Sequence, residues 1–162
     1  MAPSRASPLA ETLRREQVLP GSPDEVFRFF ADASNLEAIT PPWLRFRIVT
    51  PPPLRLGPGT LIEYRLRLHG IPIRWLTRIE AWEPGRRFVD AQVRGPYRLW
   101  HHTHTFEPHE HGTLMRDTVR YSLPLGPLGR LAHRAVVRRD LERIFDFRAA
   151  VLGREAVLHK VK

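Results

Sequence analysis

The sequence predicts an α+β fold in which a curved antiparallel sheet of about seven strands wraps around one long C-terminal helix, with two short helices after the first strand. Three observations predict this class. A helix start signal follows the first strand-like stretch, strand-like alternation dominates residues 44–123, and a proline-free amphipathic stretch follows it. Because the apolar stripe of a long helix needs a partner, we expect it on the concave face of the sheet.

Length and composition indicate one soluble domain. The 162 residues suffice for one core, so we expect a single domain over residues 9–158, a disordered segment at 1–8 and a basic tail at 159–162. The chain has no cysteine, which excludes disulfides and thiolate chemistry. Neither an apolar signal core nor a run of roughly 20 apolar residues is present. We therefore expect a cytoplasmic protein without a transmembrane segment.

The chain is strongly basic, with a net charge of +9 and a pI near 11.2. Such a charge is compatible with nucleic acid, an anionic membrane or an acidic ligand as partner. Nearly all of it comes from arginines spread along the chain, since the only lysines are Lys160 and Lys162. We interpret the arginines as solvated surface residues and do not expect nucleic acid as a partner. An arginine-rich module that binds RNA or anionic membrane stays open as an alternative.

The first quarter of the chain predicts a strand followed by two short helices. The strand covers residues 12–19 and ends at a Pro-Gly turn. Ser22 can cap the first helix, Pro23 suits its first position, and Glu25 can complete a capping box with Ser22. A second short helix is predicted over residues 34–39, where consecutive prolines stop it.

The middle of the chain predicts the remaining strands, because apolar and polar residues alternate between turns rich in proline and glycine. The predicted strands cover residues 44–50, 60–69, 71–82, 87–93, 97–107 and 113–123.

The last part of the chain predicts the long helix, from residue 128 to about residue 158. Its apolar residues recur at helical spacing among arginines and acids: Val137, Leu141, Ile144, Phe145 and Leu152.

The predicted strand 97–107 carries the most unusual pattern in the sequence. Alternation places Trp100, His102, His104 and Phe106 on one face and His101 on the other. Two titratable rings between two aromatic residues suit the wall of a cavity that holds a partly polar molecule. The alternative is an aromatic core face with histidines near its edge.

Hairpin turns transfer this face to the neighbouring strands. Folding at the turns places Asp90 and Asp117 beside His102, and Gln92 near Trp100. We predict that ten inward-facing residues contact a ligand: Trp75, Thr77, Asp90, Gln92, Trp100, His102, His104, Asp117, Tyr121 and Phe145.

Two carboxylates beside His102 favour its imidazolium form, so its pKa is expected above the ordinary value unless burial outweighs the attraction. The cluster is either a self-satisfied polar network that ties strands together or the polar end of a ligand pocket. The candidate catalytic residues are His102, Asp90 and Asp117, with the histidine and one aspartate as general acid and base.

No metal or cofactor is expected. The sequence holds a group of histidines, His101, His102, His104, His109 and His111. Alternation sends His101 and His102 to opposite faces, and two of the others lie in a predicted turn. The sequence also has no phosphate-binding glycine loop, dinucleotide fingerprint or nucleophile elbow.

Five stretches resemble a bacterial subfamily of the SRPBCC, or START-like, superfamily, and so does the order of elements. They are TPPW at 40–43, GIPIRW at 70–75, FVDAQ at 88–92, GPYRLWHHTH at 95–104 and IFDFR at 144–148. The resemblance covers residues 9–152. It implies the helix-grip fold and a cavity between sheet and C-terminal helix, and its pattern includes Asp90, Gln92, Trp100, His102, His104 and Arg148. Function in this superfamily changes with the residues that line the cavity.

We therefore expect the protein to bind a small hydrophobic or amphipathic molecule such as a lipid, an isoprenoid or a polyketide-like aromatic, and to transport or present it. The alternative is a cyclase or dehydratase in which His102 moves a proton. Some relatives in the subfamily carry a fused nucleotide-sugar-epimerase-like domain. This implies an epimerase-like oxidoreductase on a separate polypeptide as a partner.

Overall fold

The computed structural model describes residues 10–154. The predicted disordered segment 1–8 and the predicted basic tail 159–162 lie outside these residues, and the predicted domain 9–158 extends past them at both ends. No helix within residues 10–154 is long and apolar enough to cross a bilayer.

Seven antiparallel strands form one sheet, which confirms the predicted fold class. The strands are β1 Glu11–Leu19, β2 Arg47–Ile48, β3 Leu61–Leu68, β4 Ile71–Glu83, β5 Arg87–Arg94, β6 Leu99–His109 and β7 Gly112–Ser122. Their order in the sheet is β1-β7-β6-β5-β4-β3-β2, so each strand from β2 to β7 pairs with its neighbours in sequence. The first strand returns to pair with the last one, and the short hairpin turns fix the register between the others.

The helices follow the predicted order. After β1 come α1 at Pro23–Ala31 and α2 at Ser34–Ala38, and after β7 comes a continuous C-terminal helix of three segments. These are α3 Gly126–Ala132, a π-helical turn His133–Val137, and α4 Arg138–Leu152. The predicted capping box is present at α1. The Glu25 N–H donates to Ser22 Oγ at 3.3 Å, and the Ser22 N–H donates to Glu25 Oε2 at 2.7 Å.

Two predicted boundaries are wrong. The strand expected at 44–50 is reduced to the two residues of β2, because a 3₁₀ turn covers Pro42–Leu44 and Arg45 adopts a left-handed backbone at φ 46°. The long helix ends at Leu152 rather than near residue 158. Gly153 follows its last residue, and the Gly153 N–H donates to the Ala149 carbonyl at 3.0 Å.

The core lies between the concave face of the sheet and the helices. Phe27 of α1 packs edge-on against Trp82, Phe88 and Phe106, with ring centroids 4.9 to 5.9 Å apart. Strict alternation from Ile79 would place Ala81, not Trp82, on this face. A β-bulge between Ile79 and Ala81 inserts one residue and reverses the alternation beyond it, so Trp82 pairs with Phe88.

The start of β7 requires glycine at position 112, because any other residue there would be strained. Gly112 has φ +131°, and a Cβ there would lie 2.1 Å from the Leu19 carbonyl oxygen. We expect Gly112→Ala to lower the free energy of unfolding by about 2 kcal/mol or more, measured by urea denaturation. Gly59→Ala is the matched control, since Gly59 has φ +82° but open space around it, and its cost should be only about 1 kcal/mol. Equal costs at the two positions would contradict the close approach at Gly112.

Candidate functional site: a cavity closed at one end by histidines and aspartates

The register of three central strands brings two histidines and two aspartates together. On β5 and β6, Asp90 lies opposite His102, as the sequence predicted, and Phe88 lies opposite His104. On β7, Asp117 lies opposite His104 rather than opposite His102. The Asp117 side chain nevertheless hydrogen-bonds to His102, so both carboxylates lie beside His102 as the sequence predicted. All four side chains still project from the concave face.

The four side chains alternate histidine and aspartate. His102 Nε2 lies 2.8 Å from Asp117 Oδ1, and His104 Nε2 lies 2.8 Å from Asp90 Oδ2; both are hydrogen bonds. His102 Nδ1 is 3.7 Å from Asp90 Oδ2, which is a contact between charges rather than a hydrogen bond. His104 Nδ1 is also 2.8 Å from Asp117 Oδ1, but in a direction that makes no hydrogen bond. Each histidine therefore lies between both carboxylates.

Neighbouring rings fix this arrangement. The His102 and His104 rings have centroids 3.7 Å apart, and His104 stacks on Phe88 at 4.0 Å. His102 meets Phe145 of α4 edge-on at 5.6 Å. The two histidines are 4% exposed and Asp117 is 8% exposed. The low exposure means that the charges of the cluster are balanced by one another more than by water.

The two histidines differ in their proton affinity. Burial and the adjacent charge of His104 lower the pKa of His102 below its ordinary value, although Asp90 and Asp117 act in the opposite direction. Burial outweighs the attraction at His102, which is the exception that the sequence analysis allowed. At His104 burial also lowers the pKa, but its contacts with Asp117 and Asp90 outweigh burial and raise the pKa. At pH values between these two shifted pKa values, His102 is neutral and His104 is protonated.

The two aspartates stay ionised. Burial opposes ionisation of Asp117, but hydrogen bonding to His102 and contact with His104 hold its pKa well below the usual range. Burial likewise opposes ionisation of Asp90, but its contacts with His102 and His104 and the nearby Arg148 lower its pKa. With His104 protonated and Arg148 nearby, two negative charges face two positive ones.

These opposite shifts predict how stability depends on pH. His104 has a raised pKa, so its contribution is complete below the ordinary value of 6.5 and is lost as pH rises through the raised value. His102, Asp90 and Asp117 have lowered pKa values, so their contributions are complete above the ordinary values and are lost as pH falls. We expect the difference in unfolding free energy between wild type and His104→Gln to be smaller at pH 9 than at pH 6. Urea denaturation at the two pH values measures this difference.

A cavity of about 180 Å³ lies between the sheet, the early helices and α4. Its wall is mostly aromatic and aliphatic, and the polar cluster closes one end of it through Asp90, His102 and His104. Arg148 of α4 lines the same cavity and lies close enough to Asp90 to lower the pKa of that carboxyl. Two buried donors, Nε1 of Trp75 and Nε of Arg148, have no hydrogen-bond partner among the described residues.

Seven of the ten predicted ligand-contacting residues line this cavity: Trp75, Thr77, Asp90, Trp100, His102, His104 and Phe145. Three do not. Gln92 turns to the backbone of Tyr97, with its side-chain amide 2.7 Å from the Tyr97 carbonyl. The Tyr121 hydroxyl bonds His133 Nε2 of the C-terminal helix at 2.7 Å. Asp117 does not line the cavity but hydrogen-bonds to His102, which does.

Several lining residues were not among the predicted contacts. Phe30 and Leu36 come from the early helices, Phe46 and Leu56 from the connection before β3, and Tyr97 from the turn before β6. The apolar stripe of α1 was a usable signal for Phe30. Leu56 lies outside every predicted strand, so no alternation indicated that it faces inward, whereas Phe46 lies in the predicted strand 44–50, which the structure shortens to β2.

Three groups of the cluster have the spacing of a metal site. Ligand atoms of Asp90, His102 and His104 all lie within 4.8 Å of one another. The 2.8 Å separation of His104 Nε2 and Asp90 Oδ2 is that of a direct hydrogen bond with a proton between the two atoms. A metal ion there would have to replace that proton.

The sequence and the fold were compared with known proteins. Residues 10–156 match the family described as polyketide cyclase/dehydrase and lipid transport. None of the curated proteins compared with the sequence is a significant match.

The fold is shared with solved structures, among them three with TM-scores of 0.68 to 0.72. Protein TTHA0849 from Thermus thermophilus has a TM-score of 0.68 and 24% identity, covering 94% of this chain and 100% of that one. The Zhui aromatase/cyclase from Streptomyces sp. R1128 has a TM-score of 0.72 and 18% identity, with coverage of 94% and 96%. Protein CV1439 from Chromobacterium violaceum has a TM-score of 0.68 and 18% identity, with coverage of 88% and 95%. The match over most of the chain, on a sheet that grips a C-terminal helix, means that this protein belongs to the polyketide cyclase/dehydrase and lipid transport family.

Proposed function

We propose that the protein binds a small, largely hydrophobic molecule in the cavity, with the polar group of that molecule at the Asp90 and His102 end. The observation that carries this proposal is the composition of the wall. Aromatic and aliphatic side chains surround the space, and charged groups interrupt them mainly where Asp90, His102, His104 and Arg148 meet. In sites of this kind, apolar contacts bind the ligand and a few polar groups fix its orientation.

The volume supports a ligand of modest size. The cavity measures about 180 Å³. An apolar cavity of roughly 150 Å³ holds benzene, whereas drug-sized ligands occupy roughly 300 Å³ or more. A molecule of one or two fused rings, or a short branched chain, matches the space without rearrangement of the fold.

The polar end favours a hydroxyl over a carboxylate. Neutral His102 donates Nε2–H to Asp117, which leaves its Nδ1 as an acceptor, and Asp90 supplies a negative acceptor beside it. The unpartnered Nε of Arg148 supplies a donor. A phenol or alcohol can donate its single O–H to one of the first two groups and accept from the third, whereas a carboxylate would meet the negative charge of Asp90.

A pair of matched probes tests this proposal. We expect 2-naphthol to bind about tenfold more tightly than naphthalene in equilibrium dialysis, because only the naphthol can hydrogen-bond to the charged end. In His102→Leu the preference should disappear while the affinity for naphthalene persists. His101→Leu is the matched control, since His101 projects from the opposite face of the same strand, beside Glu80. Equal affinity of the wild-type protein for the two probes would contradict the proposed polar subsite.

A second candidate function is a cyclase-like proton transfer, favoured by the His102 and Asp117 hydrogen bond. A carboxylate on one nitrogen orients the imidazole and leaves the other nitrogen free as a base. His102 Nδ1 would remove a proton from a carbon beside a ketone, the carbanion would attack a second carbonyl carbon, and the resulting alkoxide would regain the proton. Turnover of an aromatic polyketide chain that is lost in His102→Ala would support this function, and tight binding without turnover would contradict it.

Transport or presentation of the ligand to an epimerase-like oxidoreductase on another polypeptide is what the family resemblance implies, and it stays a prediction.

A further inference from the structure

The C-terminal helix presents an apolar stripe to solvent before it enters the core. Leu125, immediately before α3, is 75% exposed, and Leu128 and Leu131 are 69% and 67% exposed. Val136 in the π-helical turn is 42% exposed. Leu128 and Leu131 are three residues apart in α3 and so are neighbours on the helix surface, with Leu125 just before the helix and Val136 in the turn that follows it. This stripe, Leu125, Leu128, Leu131 and Val136, is called the outer stripe below.

The outer stripe cannot turn inward, because other residues hold the opposite side of the helix against β7. Gly129 packs so closely on the preceding loop that a Cβ there would lie 2.1 Å from the Pro124 carbonyl oxygen. His133 is buried and bonds the Tyr121 hydroxyl at 2.7 Å. The outer stripe is therefore separate from the stripe of α4, where Leu141 and Phe145 face the cavity.

Arginines lie close in sequence to the outer stripe. Residues 118–139 contain five arginines and no acidic residue: Arg120, Arg130, Arg134, Arg138 and Arg139. Of these five, only Arg138 forms an ion pair within residues 10–154, with Glu142 at 3.2 Å. The four from Arg130 to Arg139 are exposed. The helix thus exposes both large apolar side chains and arginines, of which only Arg138 forms an ion pair within the described residues.

This combination distinguishes among three kinds of partner. A second copy that docked by the same surface would bring its arginines against these arginines. A nucleic acid would satisfy the arginines through its phosphates but offer nothing to three exposed leucines. A bilayer with anionic lipids meets both requirements, since leucines enter the headgroup boundary while arginines contact lipid phosphates.

We propose that α3 and the π-helical turn form a docking surface for an anionic phospholipid bilayer. The outer stripe enters the boundary between headgroups and acyl chains, and Arg130, Arg134, Arg138 and Arg139 contact the headgroups. The proposal rests on exposure, spacing and charge alone. It therefore stands independently of what the cavity binds.

Vesicle sedimentation of the full chain tests the proposal. We expect binding to vesicles of equal parts phosphatidylcholine and phosphatidylglycerol, and little binding to phosphatidylcholine alone. Leu128→Ser combined with Leu131→Ser should lower the partition coefficient about tenfold, because two apolar side chains no longer enter the boundary. Arg130→Glu combined with Arg134→Glu should lower it tenfold or more, with an attenuated salt dependence.

Matched double variants on the sheet provide the controls. Leu61→Ser with Val93→Ser removes two other exposed apolar side chains, and Arg65→Glu with Arg67→Glu makes the same change in net charge on β3. Both should retain vesicle binding within about twofold. Because all substituted side chains are exposed, the variants should keep the wild-type unfolding midpoint, which circular dichroism checks.

Three outcomes would overturn the proposal. The first is an absence of vesicle binding by the wild-type chain, including the case in which the arginines bind RNA instead. The second is an equal loss of binding in the sheet variants, which would indicate a general charge effect. The third is a dimer in analytical ultracentrifugation that dissociates in the double leucine variant while vesicle binding is unchanged.

Discussion

Asp117→Asn should lower the free energy of unfolding by about 3 kcal/mol or more. The substitution keeps the shape of the side chain but removes the negative charge that lies 2.8 Å from both His102 Nε2 and His104 Nδ1. The imidazolium of His104 would then face one carboxylate instead of two in a site that is almost closed to water. Leaving a buried charge short of its partner costs far more than breaking an exposed pair. Urea denaturation at neutral pH measures the change.

Asp146→Asn is the control for this prediction. Asp146 pairs with Arg15 at 3.3 Å, but its side chain is 72% exposed, so its removal should change stability by less than about 1 kcal/mol.

A double variant, His104→Gln with Asp117→Asn, should cost less than the sum of the two single variants, because each single variant leaves the other partner uncompensated. Additive costs would show that the two side chains do not depend on one another.

Ile144→Trp should abolish ligand binding, with a loss of at least about 100-fold for 2-naphthol, while leaving the protein folded. Ile144 is half-buried on α4 and lines the cavity. A larger ring at this position can enter the empty space and occupy the place of the ligand. Overpacking a filled core costs about 1 to 3 kcal/mol, whereas filling an empty cavity avoids that cost. We therefore expect the unfolding free energy to stay within about 1 kcal/mol of wild type.

Ala150→Trp places the same ring on an exposed position of α4 and should change neither binding nor stability. A large loss of stability in Ile144→Trp would mean that the interior is already filled by protein atoms. Unchanged naphthol affinity in a stable Ile144→Trp protein would place the binding site elsewhere.

The cluster of His102, His104, Asp90 and Asp117 is consistent with both hypotheses from the sequence, a network that ties strands together and the polar end of a pocket. Its hydrogen bonds link β5, β6 and β7, and three of its members also line the cavity. The two roles have different signatures. A structural role predicts the loss of stability in Asp117→Asn, and a ligand-binding role predicts the loss of naphthol preference in His102→Leu. Both results together would mean that one network serves both purposes.

Local patterns determined most of the architecture. The capping residues of α1, the alternation of β3 and the turns between β3 and β7 are read within a few residues of the chain, and the structure confirms them. Such signals depend on side-chain direction, which repeats every two residues in a strand and about every 3.6 in a helix. The same alternation placed His102, His104 and Asp90 on one face before any distance was known.

The features that the sequence could not determine depend on the pairing of neighbouring strands and on how far each side chain is buried from water. The bulge that brings Trp82 inward and the pairing of Asp117 with His104 both arise from the geometry of neighbouring strands, which a single strand's alternation does not contain. The proton affinities of His102 and His104 differ because burial competes with two carboxylates at each ring, and that balance exists only in the folded protein. The sequence thus determined which side chains share a face, whereas the tertiary structure decided which of them meet, which are charged and where space is left for a ligand.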